Sequence, residues 1–394
     1  MGSSRPLRVA FYTFGCKVNL FESEQLKKSL QNIEIVDSSA DADIYIVNGC
    51  TVTAASDSQA RNMIRRFAKK GKVIVTGCYA RKKDLFLEKI KNVEFIPEIE
   101  DVARNLESKL IYDAFFDRSR PFLKIQTGCD QFCSYCIIPF VRGPLKSVPL
   151  DKIIKLLEKI RSQNFKEVVL TGIHIGKYGL DLDDGSNLSS VIEQAHRIVG
   201  RVRLGSLESH EITLEILEQA SQNKILPHWH IPLQHGSDTV LKRMKRPYTA
   251  LQYRNSVEKI IKVTPPHTGF GTDIIAGFPG ETEAEFTESY NFIKSLPFCY
   301  GHVFPFSPRE GTLAWEMEKT DGVKPEIKKE RAAILRQLFA EKHSGFRNSI
   351  KGTELTAIIE NEIEKDLYSA TTENYLSIEI KGKYSPKELV SVKI

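Results

Sequence analysis

The sequence predicts an α/β protein in three parts: an N-terminal parallel α/β domain over 1–115, a central partial barrel of six βα units over 116–345, and a small C-terminal all-β domain over 346–394. Three observations carry this expectation. Short apolar, β-branched runs alternate with helix-length segments through the first part. From Pro121 the alternation restarts with six further strand signals, the number of a partial barrel with its chemistry in the loops at the strand carboxyl ends. After residue 348 the pattern changes to short β runs with no helical period.

In the first part strands are expected near 8–14, 33–36, 44–48, 73–76 and 93–96, with helices near 20–31, 55–70, 82–91 and 101–109. Arg8-Val-Ala-Phe-Tyr-Thr13, Asp43-Ile-Tyr-Ile-Val-Asn48 and Lys72-Val-Ile-Val-Thr76 are apolar without alternation, as strands covered on both faces are. Residues 112–120 read as a linker. The second part has strand signals at 122–126, 167–171, 202–206, 229–231, 272–276 and 301–304, separated by helical stretches near 151–163, 188–199, 212–222, 249–262 and 283–295. Residues 325–348 form a charged amphipathic helix. In the last part, 351–360 and 375–380 read as strands.

Composition is that of a soluble globular chain: 394 residues, 41% hydrophobic and 27% charged. No stretch approaches the ~20 apolar residues of a membrane span, and no apolar signal-peptide core follows Met1-Gly-Ser-Ser-Arg-Pro6, so a cytoplasmic protein without a membrane partner is expected. The net charge of +6 permits a polyanionic partner without requiring one. Two basic clusters, Arg61, Arg65, Arg66, Lys69, Lys70 and Lys72, and Lys242, Arg243, Lys245 and Arg246, are either solvated helix faces or phosphate contacts.

Six of the seven cysteines form two sets of three. Cys129, Cys133 and Cys136 follow the first strand of the second series at C-x3-C-x2-C spacing, which holds three irons of a 4Fe-4S cluster and leaves the fourth without a protein ligand. A structural zinc site would have four closed ligands, and an electron-transfer ferredoxin would ligate every iron. Cys16, Cys50 and Cys78 are far apart in sequence, yet each follows a glycine at the end of an apolar run. Parallel strands share a carboxyl edge, so the three sulfurs should meet there and form a second three-thiolate site. Glycine before each cysteine suits close approach of the backbone to a bulky inorganic core. Cys299 reads as a buried structural thiol.

The C-x3-C-x2-C run after the first strand of a βα barrel resembles the radical S-adenosylmethionine (SAM) superfamily. Thr13-Phe-Gly-Cys-Lys-Val-Asn19, Val47-Asn-Gly-Cys-Thr-Val-Thr53, Thr76-Gly-Cys-Tyr-Ala80, Cys136-Ile-Ile-Pro-Phe-Val-Arg-Gly143, Leu170-Thr-Gly-Ile-His-Ile-Gly176, Ile231-Pro-Leu-Gln-His-Gly-Ser237 and Val303-Phe-Pro-Phe-Ser-Pro-Arg309 are similar to the methylthiotransferases. Gly15-Cys-Lys-Val-Asn19 favours the branch that modifies threonylcarbamoyl-adenosine in tRNA. The resemblance covers essentially the whole chain. It implies a radical SAM barrel, a C-terminal TRAM-like domain and two 4Fe-4S clusters: one on Cys129, Cys133 and Cys136 that binds SAM, and an auxiliary one on Cys16, Cys50 and Cys78. It further implies a tRNA anticodon stem-loop as substrate, methylthiolated at carbon 2 of position 37, with a sulfur donor and an electron-donating reductase as partners.

For SAM, the expected contacts are Thr171, Gly172, Ser206, Glu208 and Gly277, with Arg142 and Arg309 as binders of a carboxylate or phosphate. His174, His210 and His235 are candidate polar lining. Gly49 and His235 depart from the commoner family residues without removing a ligand. The last 46 residues are more acidic than basic, so the basic stretch 61–72 is the better candidate to grip phosphates. Two other readings remain: the same chemistry on isopentenyl-adenosine or a ribosomal-protein aspartate, and a non-catalytic iron–sulfur RNA-binding protein.

Overall fold

Five parallel strands make the first sheet of the computed structural model, which describes residues 5–82, 87–111 and 118–394. The chain divides into two units, residues 1–115 with 136–144, and residues 116–135 with 145–394. The first unit contains β1 (Leu7–Thr13), α1 (Lys17–Ser29), β2 (Ile33–Val36), β3 (Ile44–Asn48), α2 (Ala54–Phe67), β4 (Lys72–Thr76), α3 (Gly77–Arg81), β5 (Val93–Phe95), α4 (Ile99–Asn105) and α5 (Ile138–Arg142). Sheet order is β2-β1-β3-β4-β5. Every residue of the central strand β3 is buried, which is why it is apolar from Ile44 to Val47, before Asn48. On one face Tyr45, Val47, Val73 and Val75 pack with Ala60, Ile64 and Phe67 of α2, and on the other Val9, Ile44, Ile46 and Ile74 pack with Leu26, Val102 and Leu106.

Register sets the site. Thr13 pairs with Asn48 and Asn48 with Thr76, so the carboxyl ends of β1, β3 and β4 are level across three neighbouring strands.

The helix expected near 82–91 falls partly on 83–86, outside the described residues. The residues after it form turns closed by Ile90 N on Leu87 O and Val93 N on Ile90 O, and the helix of this connection is instead α3, from Gly77. Most of the expected linker, 112–117, also lies outside the described residues.

The second unit begins with β6 (Phe122–Lys124), β7 (Gln126–Thr127), β8 (Lys146–Ser147), α6 (Leu150–Ser162), β9 (Glu167–Thr171), α7 (Leu188–Val199), β10 (Arg201–Leu204), α8 (Leu214–Ser221) and β11 (His228–His230). It continues with α9 (Asp238–Arg243), α10 (Ala250–Val263), β12 (Gly269–Ala276), α11 (Glu283–Ser295), β13 (Tyr300–Pro305), α12 (Leu313–Asp321) and α13 (Pro325–Ser349). Two three-stranded parallel sheets, β10-β9-β6 and β11-β12-β13, are joined by a parallel bridge between Ser206 and His230. The strand expected over 122–126 stops at Lys124, and Gln126–Thr127 pairs antiparallel with Lys146–Ser147 instead. Capping boxes at Thr249 with Gln252 and Thr282 with Glu285 start α10 and α11.

The unit ends in β14 (Glu354–Glu364), β15 (Leu367–Thr372), β16 (Ser377–Lys381) and β17 (Leu389–Lys393), an antiparallel sheet of order β16-β15-β14-β17 around Ala357, Ile359, Tyr368 and Ala370. Arg203 of β10, fully buried, pairs with Glu167 at 2.8 Å and donates to the carbonyls of Thr372 and Glu373. No helix among the described residues is long and apolar enough to cross a membrane.

Candidate metal centres

Cys16, Cys50 and Cys78 each follow the level strand ends Thr13, Asn48 and Thr76 by two or three residues. The loops that carry them are stitched edge to edge: Phe14 N donates to Asn48 O, Gly49 N to Thr76 O and Tyr79 N to Gly49 O. Beneath them, Asn19 and Asn48 bond to each other with no exposure, and Asn48 also donates to Ser23 Oγ. Cys16 Sγ bonds Asn19 Oδ1 at 3.2 Å, and Val52 N donates to Cys50 Sγ at 3.4 Å.

The preceding glycines have a reason within the protein itself. Gly15 and Gly77 adopt positive φ, 128° and 77°. A Cβ on Gly15 would stand 2.8 Å from Cys50 Cβ, one on Gly77 would strike Asn48 Oδ1, and one on Gly49 would press on Phe14 and Tyr79 at 3.1 Å. The glycines let the three loops close on one another.

Arg142, expected as a carboxylate or phosphate binder, lies buried in this unit with both sides engaged. Its Nε donates to Cys78 Sγ at 3.0 Å and its Nη1 to Glu22 Oε1 at 2.6 Å. Burial pushes the Cys78 thiol up to about 12 and raises that of Cys50. Burial also disfavours the charge on Arg142, but Glu22 and Cys78 more than offset it and hold the guanidinium protonated. Burial disfavours thiolates at Cys50 and Cys78, so these side chains suit a group that brings positive charge to them, as iron does, and Arg142 adds its own charge at the Cys78 sulfur.

In the second unit, two cysteines of the tight set have the same kind of neighbour. His174 Nδ1 is 3.3 Å from Cys129 Sγ, and its Nε2 is 2.6 Å from Glu211 Oε1. Burial favours the neutral ring, yet Cys129 and Glu211 together push the His174 pKa up to about 10. Arg246 Nη1 donates to Cys133 Sγ at 3.3 Å while its Nη2 pairs with Glu208. Burial raises the Cys133 thiol. Hydrogen bonds to ligand sulfurs are a means by which a protein tunes an iron–sulfur cluster, so these donors fit that group. Among the described residues, Cys129, Asp130 and His174 are the group of three donor atoms within 4.8 Å of one another, and Asp130 is engaged by Lys177.

Other expected site residues divide. Thr171 and Gly172 end β9 beside Gln126, whose amide donates to the carbonyls of Thr127 and Gly128 and whose Oε1 accepts from His174 N. Gln126, fully buried, thus ties the cysteine loop to the β9 loop. Ser206 is exposed at the bridge to His230, two residues before Glu208. Gly277 is pressed on Lys328, with its N–H held by Glu281 Oε2 at 2.8 Å. Arg309 turns back on its own chain, to Pro308 O and Ser307 Oγ. His235 is buried against Glu281, a structural role rather than a lining one.

The second basic cluster is also corrected: Arg246 is buried at Cys133, and Arg243 is paired with Glu285 at 2.9 Å. The sequence reading missed Glu22, Gln126, Glu211 and Arg246. Asn19 and Asn48 stood inside quoted motifs, Gly15-Cys-Lys-Val-Asn19 and Val47-Asn-Gly-Cys-Thr-Val-Thr53.

Comparison with known proteins places these features. The profile described as Uncharacterized protein family UPF0004 matches residues 8–97, and that of the Radical SAM superfamily matches residues 123–293. The chain is 36% identical to the threonylcarbamoyladenosine tRNA methylthiotransferase MtaB of Aquifex aeolicus, over 98% of this chain and 100% of that protein. It is 37% identical to the MtaB of Bacillus subtilis, over 95% and 90%. A tRNA-2-methylthio-N(6)-dimethylallyladenosine synthase of Fervidobacterium nodosum is 33% identical over 92% and 90%. Among solved structures, the radical S-adenosylmethionine methyltransferase TsrM of Kitasatospora setae superimposes with a TM-score of 0.58 at 12% identity, covering 80% of this chain and 78% of that one, a likeness of fold alone. On these near full-length relatives and the radical SAM match, the chain belongs to the radical S-adenosylmethionine methylthiotransferase family.

Proposed function

We propose that this protein is a tRNA methylthiotransferase that places a methylthio group on carbon 2 of threonylcarbamoyl-adenosine, 3′ of the anticodon at position 37. The observation that carries the reading is the pairing of two features: three cysteines brought to one sheet edge in the first unit, and near full-length similarity to proteins named for this reaction. Carbon 2 of adenine bears an unactivated hydrogen, and two 4Fe-4S clusters with SAM supply the radical and sulfur chemistry its replacement needs.

The chain's own residues hold and tune these groups. Cys16, Cys50 and Cys78 are the proposed ligands of the auxiliary cluster, and Cys129, Cys133 and Cys136 those of the SAM-binding one. Asn19 and Asn48 orient the first set. Arg142, His174 and Arg246 each direct an N–H at a ligand sulfur, with Glu22, Glu211 and Glu208 fixing their far sides. Glu208 is therefore a holder of Arg246 first, and a SAM contact only through its remaining oxygen. Thr171, Gly172, Ser206 and Gly277 remain proposed SAM contacts.

The six parallel strands in the order β6, β9, β10, β11, β12, β13, continuous through the Ser206–His230 bridge, support a partial radical SAM barrel. The C-terminal antiparallel sheet supports a TRAM-like domain. For the anticodon stem-loop, Arg65, Arg66 and Lys69 are the exposed cations offered by the first basic stretch, since Lys70 pairs with Asp41 and Lys72 with Glu94. α2 ends at Phe67, so Lys69 follows the helix and does not continue its face. A cytoplasmic location, a sulfur donor and a reductase complete the proposal.

Nucleoside digests of tRNA from a strain lacking the gene test it. Loss of the methylthio form of threonylcarbamoyl-adenosine, restored by the wild-type gene, is expected. Loss of the methylthio form of isopentenyl-adenosine instead would move the substrate to that of the Fervidobacterium relative.

A further inference from the structure

A column of aromatic rings runs along one face of the β11-β12-β13 sheet and ends exposed. α13 packs on the other face, where the Phe339 ring lies against Gly301. Side chains alternate along a strand, so Tyr300, His302 and Phe304 of β13 share the face opposite α13, with Asp273 of β12 and His228 and His230 of β11. A Cβ on Gly271 would strike the Tyr300 ring, so glycine there lets the Tyr300 hydroxyl reach across β12 to His228 Nε2 at 2.8 Å and His230 Nδ1 at 3.0 Å.

Ring centroids follow one another at 4.2 Å from Tyr375 to His228, 5.9 Å from His228 to Tyr300, 5.6 Å from Tyr300 to His302 and 6.5 Å from His302 to Phe304. Tyr375, from the connection between β15 and β16, closes the foot of the column, with the Arg203 guanidinium 5.2 Å from its ring. At the head, toward the strand carboxyl ends, His302 is exposed and Phe304 is 42% exposed. A phenyl ring left open at the head of a stack that the chain's own tyrosine completes at the foot is shaped to take one more planar ring.

The polar groups narrow which ring. Asp273 stands beside His302 in register and is anchored by His230 Nε2 at 3.2 Å, with its side chain still 26% exposed. An ionised carboxylate only accepts, so it suits a ring with an N–H at its edge, as an N6-substituted adenine has. His230 has both ring nitrogens engaged, by Tyr300 and by Asp273. His302 is the exposed side chain of this face that can give an N–H and carry positive charge, which is what meeting a carboxylate requires. A base comes to such a seat by swinging out of its stack, as bases do for enzymes that act on them.

We propose that the head of this column seats the flipped adenine of the substrate, with Phe304 stacked on the ring, Asp273 accepting its N6–H, and His302 reading the carboxylate of the threonylcarbamoyl group. This rests on the tRNA reading above. It adds the residue that separates threonylcarbamoyl-adenosine from adenines with an apolar N6 substituent.

The test measures dissociation constants of anaerobically reconstituted full-length protein for synthetic anticodon stem-loops that carry adenosine, threonylcarbamoyl-adenosine or isopentenyl-adenosine at position 37. Wild type is expected to hold the threonylcarbamoyl loop about tenfold more tightly than the adenosine loop, the scale of a charge-assisted hydrogen bond. His302→Phe, which keeps a ring in the column, should abolish that preference, and His302→Gln, which keeps an N–H, should retain part of it. Phe304→Ala should weaken both loops about tenfold, the scale of one base–aromatic stack. An unchanged preference in His302→Phe overturns the proposal, whether or not both affinities fall together. Unaltered affinities in Phe304→Ala overturn it as well, since the base then sits elsewhere. In both cases wild type still prefers the threonylcarbamoyl loop, and the tRNA reading stands. Equal affinity of wild type for all three loops overturns the proposal alone, whereas preference for the isopentenyl loop overturns the substrate reading with it.

Discussion

Asn19 and Asn48 exchange hydrogen bonds in the absence of solvent: Asn19 Nδ2 donates to Asn48 Oδ1 at 2.8 Å, and Asn48 Nδ2 returns to the Asn19 carbonyl at 3.0 Å. One residue opens α1 and the other ends β3, so this pair ties the Cys16 loop to the Cys50 loop. Asn48→Ala leaves buried donors and acceptors unmatched on Asn19 and Ser23, at a cost of about 1–3 kcal/mol. Thermal melts should show the loss of stability, and iron bound by the first unit should fall with it. Asn48→Asp, which keeps an acceptor for Asn19 Nδ2, should retain more iron than Asn48→Ala.

Gly77→Ala should be worse than an ordinary loop substitution. The residue sits at φ 77°, and the new methyl would meet the side chains of Asn48 and Asn19. Left-handed strain and overpacking together should cost about 2–4 kcal/mol. Gly185→Ala is the control, with positive φ and nothing within 4 Å of the added methyl. Comparing the two by chemical denaturation separates crowding at the cysteine loops from backbone strain alone.

Removing Arg246 strands Glu208 and takes the donor from Cys133. The Arg246 side chain is 3% exposed and that of Glu208 16%, so Arg246→Met should destabilise by about 3 kcal/mol, near the lower end for a broken buried pair. It should also slow production of 5′-deoxyadenosine from SAM by reconstituted protein. Arg246→Lys should recover part of the stability but not the hydrogen bond to sulfur.

A pH effect is expected far from the cysteines. Glu285 accepts from Arg243, Thr239 and the N–H of Thr282, and the bond to Arg243 above all holds its pKa at about 2, below the model-compound 4.5. A carboxylate with a lowered folded pKa contributes stability that is complete above about 4.5 and disappears as pH falls through about 2. Wild type should therefore out-melt Glu285→Gln at pH 6, and the gap should close between pH 4.5 and 2. Acid strips iron, so both proteins are compared metal-free.

How far the sequence could be read follows from the range of each interaction. β3 and β4 were plain because strands covered on both faces need continuous apolar residues, and the three Gly-Cys pairs marked their shared edge. The stop of β6 at Lys124 was not, because it depends on Val148 N bonding Ile125 O, a contact made by residues 23 positions on. β15 and β17 escaped notice since their burial comes from pairing with β14, which a five- or six-residue window does not reveal. The same holds at the sites. A cysteine spacing is local, whereas the pairing of Glu22 with Arg142 spans 120 residues and that of Arg246 with Cys133 spans 113, so the sequence marked Arg142 as an anion binder without its partners and left Arg246 as one charge of a basic cluster.

Iron and acid-labile sulfide analysis with Mössbauer spectra, on anaerobically reconstituted wild type and on a Cys16→Ala, Cys50→Ala, Cys78→Ala variant, tests the central claim most directly. Two four-iron clusters require about eight irons in wild type and about four in the variant. If both proteins hold four irons or fewer, the thiols gathered at the ends of β1, β3 and β4 are not cluster ligands, and the assignment of sulfur transfer to that edge is contradicted.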